Sequence, residues 1–370
     1  MQRNCICNEI FQADHDQCET STKYLCEQRA NPGKAKFVLD GQEVTRETAL
    51  QSFRQMLKEA SYPLITGLNA IGSRSQRTAV AIGRKYRAAV ESGEKPSPTS
   101  LSLARAGSVT ASMGEIVQRS DRLLLLACDP INTHPRFFNS IVNQNGSLEI
   151  GCWGCNGLRQ PSSTKFDLAS KNLEHDLMLL LAAIKNAKVN KNVSAEKIQV
   201  VRQLHDWLVS GRFVSVLLGP LAESSVDTVT EICKALTSQV RIVSVNLSVQ
   251  SNSIGAEHTL AATTGFADAI DFSAGYARSF HSEFSSSKIL ARREADLLIT
   301  FDEKLVTPEY NIPTITFGAT NDASRKADQP ILRIENLSVL GDDFHRFDHL
   351  QFGVCRSPAS NDLQSFLKDV

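Results

Sequence analysis

Apolar and polar positions divide most of this chain into short hydrophobic runs separated by amphipathic stretches. The runs at 63–68 (PLITGL), 123–127 (LLLLA), 213–219 (FVSVLLG), 241–247 (RIVSVNL) and 296–301 (DLLITF) read as buried strands, with further strands at 314–317 and 331–334. Helical spacing covers 75–92, where Ala79, Ile82, Gly83, Tyr86 and Val90 fall on one face, and also 113–119, 173–184 and 198–209. Val226, Val229, Ile232, Cys233 and Leu236 mark the inner face of another helix. Continuous apolar strands alternating with amphipathic helices predict parallel sheets covered on both faces. Nearer the start, KFVLDGQEVT predicts a hairpin turning at Asp40-Gly41, followed by a helix over 46–59 capped by Thr45. The stretch 91–102 reads as a turn-rich connection. Gly255 to Phe284 shows no sustained period and reads as an ordered loop region feeding the strand at 296–301; long irregular segments in compact domains tend to be functional. The expected division is a cysteine-bearing segment 1–60, a discontinuous α/β domain from 61–150 plus 294–370, and an inserted α/β domain 151–293.

Length and charge narrow the classes. A chain of 370 residues has room for two or three domains. Forty basic residues balance forty acidic ones, so no field attracts nucleic acid, and no nucleic-acid partner is expected. The longest apolar run, Leu177 to Ile184, is far short of a membrane span, and the start MQRNCICNEIFQADHD lacks the apolar stretch of an export signal. The expectation is a cytoplasmic protein with no membrane partner. Nine cysteines in such a chain read as free thiols or metal ligands, with Cys128 and Cys233 in the core.

Candidate chemistry lies mostly in loops that follow strands. Gly67, Asn69 and Gly72 sit in TGLNAIGSRSQ, which is either a plain strand-to-helix turn or one that presents backbone N–H groups to an anionic cofactor. Asp129, Asn132, His134 and Arg136 follow the strand at 123–127 in CDPINTHPRFF, where they either bind a ligand or satisfy loop and subunit contacts. Cys5, Cys7, Cys18 and Cys26 are irregularly spaced for a cluster. Cys152 and Cys155 form half of a zinc-type pair. His205 reads as a packed helix residue. His345 and His349, near Asp342, Asp343 and Asp348, read as a solvated polar loop or a divalent-metal set. No nucleophile motif is present.

Three stretches together resemble the B subunit of formylmethanofuran dehydrogenase: PLITGLNAIGSRSQRTAVAIGRKYRA, GSVTASMGEIVQRSDRLLLLACDPINTHPRFF, and GAEHTLAATTGFADAIDFSAGYARSFHSEF followed by LARREADLLITFDE. The resemblance spans roughly 60–340. It implies the α/β fold of the molybdopterin-dependent oxidoreductases, with Rossmann-like parallel-sheet domains. It also places Gly67, Asn69, Gly72, Asp129, Asn132, His134, Arg136, Asp271 and Arg278 around a cofactor or carrier cleft. Redox-active members carry an iron–sulfur (4Fe-4S) cluster on N-terminal cysteines and a metal-ligating cysteine after the first helix. Here the corresponding loop, PSPTSLSLARAGS, contains no cysteine, and serine is a poor substitute for a soft thiolate. The cofactor site is therefore expected to be degenerate, with no cofactor and no metal in this chain. That pattern is similar to the non-redox B subunit of bacterial formyltransferase/hydrolase complexes. Those complexes convert formyl-tetrahydromethanopterin to formate through a methanofuran-type carrier in one-carbon metabolism. The implied partners are A-, C- and D-type subunits and the carrier, and the implied role is scaffold. The alternatives are a redox-active subunit that binds molybdopterin and the cluster, and a carrier- or nucleotide-binding module.

Overall fold

The computed structural model describes residues 35–93, 98–144, 146–155, 163–166, 172–188, 193–247, 253–301, 311–317, 331–335, 344–347, 351–354 and 363–370. In chain order the chain opens with β1 (Lys36–Leu39), β2 (Gln42–Val44), α1 (Arg46–Glu59), β3 (Pro63–Thr66), α2 (Ser73–Lys85), β4 (Ala89–Val90) and α3 (Pro98–Ala106). It continues with α4 (Met113–Arg119), β5 (Arg122–Leu126), α5 (Pro130–Thr133), α6 (Pro135–Gln144), β6 (Glu149–Trp153), β7 (Ser163–Phe166), α7 (Leu173–Ile184), α8 (Ala195–Val209), β8 (Phe213–Leu218), α9 (Glu223–Leu236) and β9 (Arg241–Asn246). Last come α10 (Ser253–Thr264), β10 (Ile270–Asp271), β11 (Arg278–Ser279), α11 (His281–Phe284), α12 (Ser286–Ala291), β12 (Leu297–Thr300), β13 (Thr314–Phe317), β14 (Ile331–Glu335), β15 (Phe344–Phe347), β16 (Gln351–Val354) and α13 (Leu363–Lys368).

These elements form two compact units. The first holds the described residues of 101–249 and is built on a five-stranded sheet of order β7-β6-β5-β8-β9, parallel throughout. Successive strand residues point to opposite faces, so Leu124, Leu126, Val214 and Val216 pack with α7, α8 and α9. Leu123, Leu125, Leu217, Val243 and Val245 pack with Met113, Phe137 and Ile141 on the other side. Apolar burial on both faces explains why these strands are uninterrupted hydrophobic runs.

The second unit is built on a nine-stranded sheet of order β11-β10-β4-β3-β12-β13-β14-β1-β2. Its centre, β4 to β14, is parallel. Antiparallel pairs close both edges: β10 and β11 on one side, β1 and β2 on the other. One face carries Ile65, Val90, Ile299, Ile315 and Phe317 against Phe53, Ala79, Leu260 and Phe366. The other face has a smaller cluster around Leu64, Leu298, Ile289 and Leu290.

Most of the strands and helices read from the sequence are present, including the hairpin, where Asp40 and Gly41 take φ of 50° and 82°, and the Thr45 cap of α1. Four expectations are corrected. The helix expected over 75–92 ends at Lys85: Arg87 adopts a left-handed φ of 55°, and Ala89–Val90 becomes the strand β4, hydrogen-bonded between β3 and β10. The connection expected over 91–102 contains the start of α3, with Pro98 as its first residue, a position where the missing N–H costs nothing. The irregular segment 255–284 begins inside α10, and Gly265 and Gly275 (φ 86° and 87°) make the turns that follow. The division of the chain also differs. It falls near residues 100 and 250 rather than 150 and 294, because β5 pairs with β6 and β8, whereas β10 pairs with β4. Residues 36–59 are no separate segment, since β1 pairs with β14.

Asp121 ties the starts of β5 and β8 together. Its carboxylate accepts from the backbone N–H of Arg212 (2.9 Å) and of Phe213 (2.8 Å) and from Arg212 Nε at 3.3 Å. Burial alone would raise its pKa, but these donors outweigh it and hold the carboxyl below the ordinary carboxylate value. Such a group stabilises the fold above its unfolded-state pKa, and the contribution is lost as pH falls through the folded-state value. Asp121→Asn should therefore cost about 1–2 kcal/mol near neutral pH, discounted for partial solvent contact. The gap from wild type should shrink below about pH 4, as measured by urea unfolding across pH; a gap that widens in acid would contradict this account.

Candidate functional site

In the second unit, the turn after β3 is fixed from beneath. Gly67 takes a left-handed φ of 80° at the head of the short 3-10 turn Leu68–Ala70. Gln76, fully buried on α2, donates to the carbonyls of Leu68 and Ile71, both at 2.9 Å. Its own oxygen accepts from Thr259 of α10 at 2.8 Å. Gly72 is the N-cap residue of α2. The Asn69 N–H donates to the Ser92 carbonyl at 2.8 Å, and its side chain packs so closely on Gly93 that a Cβ there would lie 2.9 Å from Asn69 Nδ2. Gly67, Asn69 and Gly72 therefore gather at the carboxyl ends of β3 and β4.

Asp271 and Arg278 are cross-strand partners in the β10–β11 pair. Asp271 is fully buried, and both of its oxygens are occupied. Oδ1 accepts from Tyr62 Oη and from the Ser273 N–H, each at 3.1 Å, and Oδ2 from Ser273 Oγ at 2.9 Å and Arg278 Nε at 2.8 Å. Burial, and then the Asp271 charge, push the Tyr62 phenol well above its ordinary value. Arg278 also lies over the Phe284 ring at 5.0 Å. Because Asp271 is paired with Ala89 and bonded to Tyr62, this group stands toward the amino-terminal end of β3, away from the glycine turn.

A third group sits where the turn residues gather. Glu91, directly after β4, is fully buried; one oxygen accepts from the Ser286 N–H at 3.1 Å. Asp268, just before β10, accepts the Ser92 N–H at 3.0 Å and Ser92 Oγ at 2.7 Å on Oδ1. Nδ1 of His281, at the start of α11, lies 3.5 Å from Asp268 Oδ2. Burial, then the Asp268 charge, push the Glu91 carboxyl up to about 7; the contact with Asp268 raises His281. Sequence reading missed all three, because they come from positions far apart that only the β4–β10–β11 pairing brings together. The one local signal was an acidic residue within an otherwise small and apolar stretch, GFADAIDF.

In the first unit, Asp129 caps α5: its carboxylate accepts from the Asn132 N–H at 3.3 Å and from Asn132 Nδ2 at 2.6 Å. His134 is buried, with Nδ1 3.0 Å from Thr133 Oγ1. Asp129 and Asn132 thus bond each other at the head of the short helix. Cys155 donates to the Leu125 carbonyl at 3.2 Å, and a contact with Cys128 raises its thiol to about 11. Burial pushes Cys233 up to about 12. Cys5, Cys7, Cys18 and Cys26, and the side chains of Arg136, Asp342, Asp343, His345, Asp348 and His349, lie outside the described residues.

The fold is thus a mixed α/β arrangement with a wholly parallel sheet in one unit and a largely parallel sheet in the other. No protein-family profile matches the chain. It is 22% identical over 304 residues to the B subunit of the tungsten-containing formylmethanofuran dehydrogenase 2 of Methanococcus maripaludis, covering 75% of this chain and 70% of that protein. To the protein of the same name from Methanocaldococcus jannaschii it is 20% identical over 306 residues, with the same coverage of 75% and 70%. Among solved structures, a chain of the formyltransferase/hydrolase complex (FhcABCD) from Methylorubrum extorquens, in complex with methylofuran, superposes with a TM-score of 0.67 at 15% identity, over 90% of this chain and 97% of that one. The chain is related to the B subunits of formylmethanofuran dehydrogenases and shares its fold with a chain of that complex. Among the described residues no helix is long and apolar enough to cross a membrane.

Asp271 organises its loop from a fully buried position, whereas Arg278 reaches toward solvent. Asp271→Ala should lower stability by about 2–4 kcal/mol, since it strands Tyr62 Oη, Ser273 and Arg278 together. Arg278→Lys should cost much less, and chemical denaturation of both variants tests the ordering; equal losses would show that the guanidinium, not the carboxylate, holds the loop.

Proposed function

We propose that this chain is a non-redox B-type subunit of a formyltransferase/hydrolase complex, of the molybdopterin-oxidoreductase fold type, in which partner subunits carry the chemistry. In this reading the assembly converts formyl-tetrahydromethanopterin to formate through a methanofuran-type carrier, and the chain works in the cytoplasm as a scaffold. The carrying observation is chemical: no cysteine occurs between Cys26 and Cys128. The stretch that the resemblance assigns to the metal ligand offers only hydroxyls, among them Ser102, which is buried on α3 with no hydrogen-bond partner for Oγ among the described residues. A hydroxyl stands where the resemblance places a thiolate, and on that difference no redox step is assigned to this chain. The relatives' names and the shared fold over nearly the whole of a complex's chain support the assembly role.

Co-expression with A-, C- and D-type subunits should yield a stable complex lacking stoichiometric molybdenum and tungsten, read by affinity purification and elemental analysis. Either metal at one per chain would support the redox-active reading instead, and failure to co-purify would remove the assembly reading.

The segment after α10 carries exposed aromatic side chains, with Tyr276 at 65% and Phe280 at 61% exposure and Phe266 at 37%. Exposed aromatics are enriched at binding surfaces. Tyr276→Ser with Phe280→Ser should leave the isolated chain's stability within about 0.5 kcal/mol while reducing recovery of the assembled complex. Undiminished assembly would place the partner surface elsewhere.

A further inference from the structure

We propose that Glu91, Asp268 and His281 form a binding site for a divalent first-row transition ion, zinc being the best fit, at the carboxyl end of β4. One oxygen of each carboxylate and one ring nitrogen all lie within 4.8 Å of one another. Each carboxylate is oriented through its other oxygen: Glu91 Oε2 accepts from the Ser286 N–H, and Asp268 Oδ1 accepts twice from Ser92. Outer hydrogen bonds of this kind are what hold metal ligands in place. The inward atoms, Glu91 Oε1, Asp268 Oδ2 and His281 Nδ1, have no hydrogen-bond partner among the described residues. Glu91 is fully buried, and the Asp268 side chain is 1% exposed. Asp268 Oδ2 has only the His281 ring at 3.5 Å, and a buried carboxylate oxygen such as Glu91 Oε1 without a donor is costly.

Two carboxylates face one imidazole, so a dication with a neutral imidazole leaves the set with no net buried charge. The donor types give its class. An imidazole with two carboxylates and no thiolate suits zinc, manganese or iron(II) better than magnesium, which prefers oxygen donors and retains its waters, or copper(I), which prefers sulfur. Tetrahedral zinc with bonds of about 2.0–2.2 Å spaces neighbouring ligands by about 3.4 Å, close to the 3.5 Å between Asp268 Oδ2 and His281 Nδ1. The ligands come from the end of β4, the start of β10 and the residue after the β11 turn, three adjacent positions of one sheet. The His281 side chain is 40% exposed and provides the entry path. Three protein ligands leave a position for water or an oxygen ligand. This proposal does not depend on the scaffold reading, because the ion and its ligands are unlike those of the redox relatives.

The test is a titration of chelator-stripped, full-length protein with zinc chloride by calorimetry, and with cobalt(II) by absorbance. One equivalent should bind. Cobalt should show visible d–d bands without sulfur charge transfer, which separates this site from the cysteines. Zinc should raise the thermal midpoint of wild type. His281→Ala and Asp268→Asn should each weaken binding at least 100-fold, and Ser92→Ala, which removes a donor to Asp268, about tenfold. Should Asp268→Asn fail to fold, His281→Ala at the partly exposed position carries the comparison. Absence of a bound equivalent, a thiolate spectrum, or unchanged affinity in His281→Ala would overturn the proposal and leave Glu91 holding a proton instead.

Discussion

The placement of β4 depends on one close approach. Gly83 of α2 lies so near the strand that a Cβ there would sit 2.4 Å from Val90 Cγ2. Without that missing side chain the helix could not lie down on a two-residue strand, and the strand could not hold its place between β3 and β10. The turn is completed by Arg87 in the left-handed region and by the Ala88 N–H donating to the Gly83 carbonyl at 2.8 Å. Everything chemically distinctive in the second unit hangs from this join. Glu91 leaves the end of β4, Asp268 and Asp271 flank and end β10, and β11 brings Arg278 and His281 alongside. A short strand is weak by itself, so its register is set by packing rather than by the few hydrogen bonds it makes.

The two acidic groups on this join are contrasting solutions to one problem. A buried carboxylate must be compensated or neutralised. Asp271 is compensated within the chain by a phenol, a serine, a backbone N–H and a guanidinium, which makes it a structural clamp for the Ser273–Tyr276 turn. Glu91 and Asp268 receive hydrogen bonds on their outward oxygens; inward, Asp268 Oδ2 faces the His281 ring at 3.5 Å, and Glu91 Oε1 has no donor among the described residues. Their inward oxygens require either a proton or a cation. Burial in the sheet edge explains both the raised Glu91 carboxyl and the preference of the pair for a positive partner.

What was legible in the sequence follows from which signal each element carries. The strands β5, β8, β9 and β12 are buried on both faces and announced themselves as continuous apolar runs, and α9 showed its inner stripe because its other face is wet. Helix α10 was missed for the opposite reason. Ile254, Gly255, Ala256, Glu257, Thr259 and Leu260 are all buried, so the helix is enclosed nearly all round by small and polar residues and has no amphipathic period to read. The two-residue strands β4, β10 and β11 are below the length at which alternation can be seen, and they decide which segments meet. That is why the domain boundaries were misplaced and why Glu91, Asp268 and His281 were invisible as a group. Asp129 and Asn132 were conspicuous as polar residues after a strand, and they bond each other at the head of a short helix.

The absence of cysteine between Cys26 and Cys128 and the buried carboxylates bear on the same question, namely which ion the donors of this chain can hold. A thiolate site and a carboxylate–imidazole site favour different ions through ligand type and geometry. Nitrogen and oxygen donors can hold a redox-inert ion that fixes the β4–β10–β11 edge and polarises a bound oxygen. That edge carries the exposed Tyr276 and Phe280 toward solvent, and an ion joining Asp268 to His281 would brace the two ends of the segment that bears them. Binding of a cation there needs no change of fold, only side chains at strand ends already brought together by Gly83.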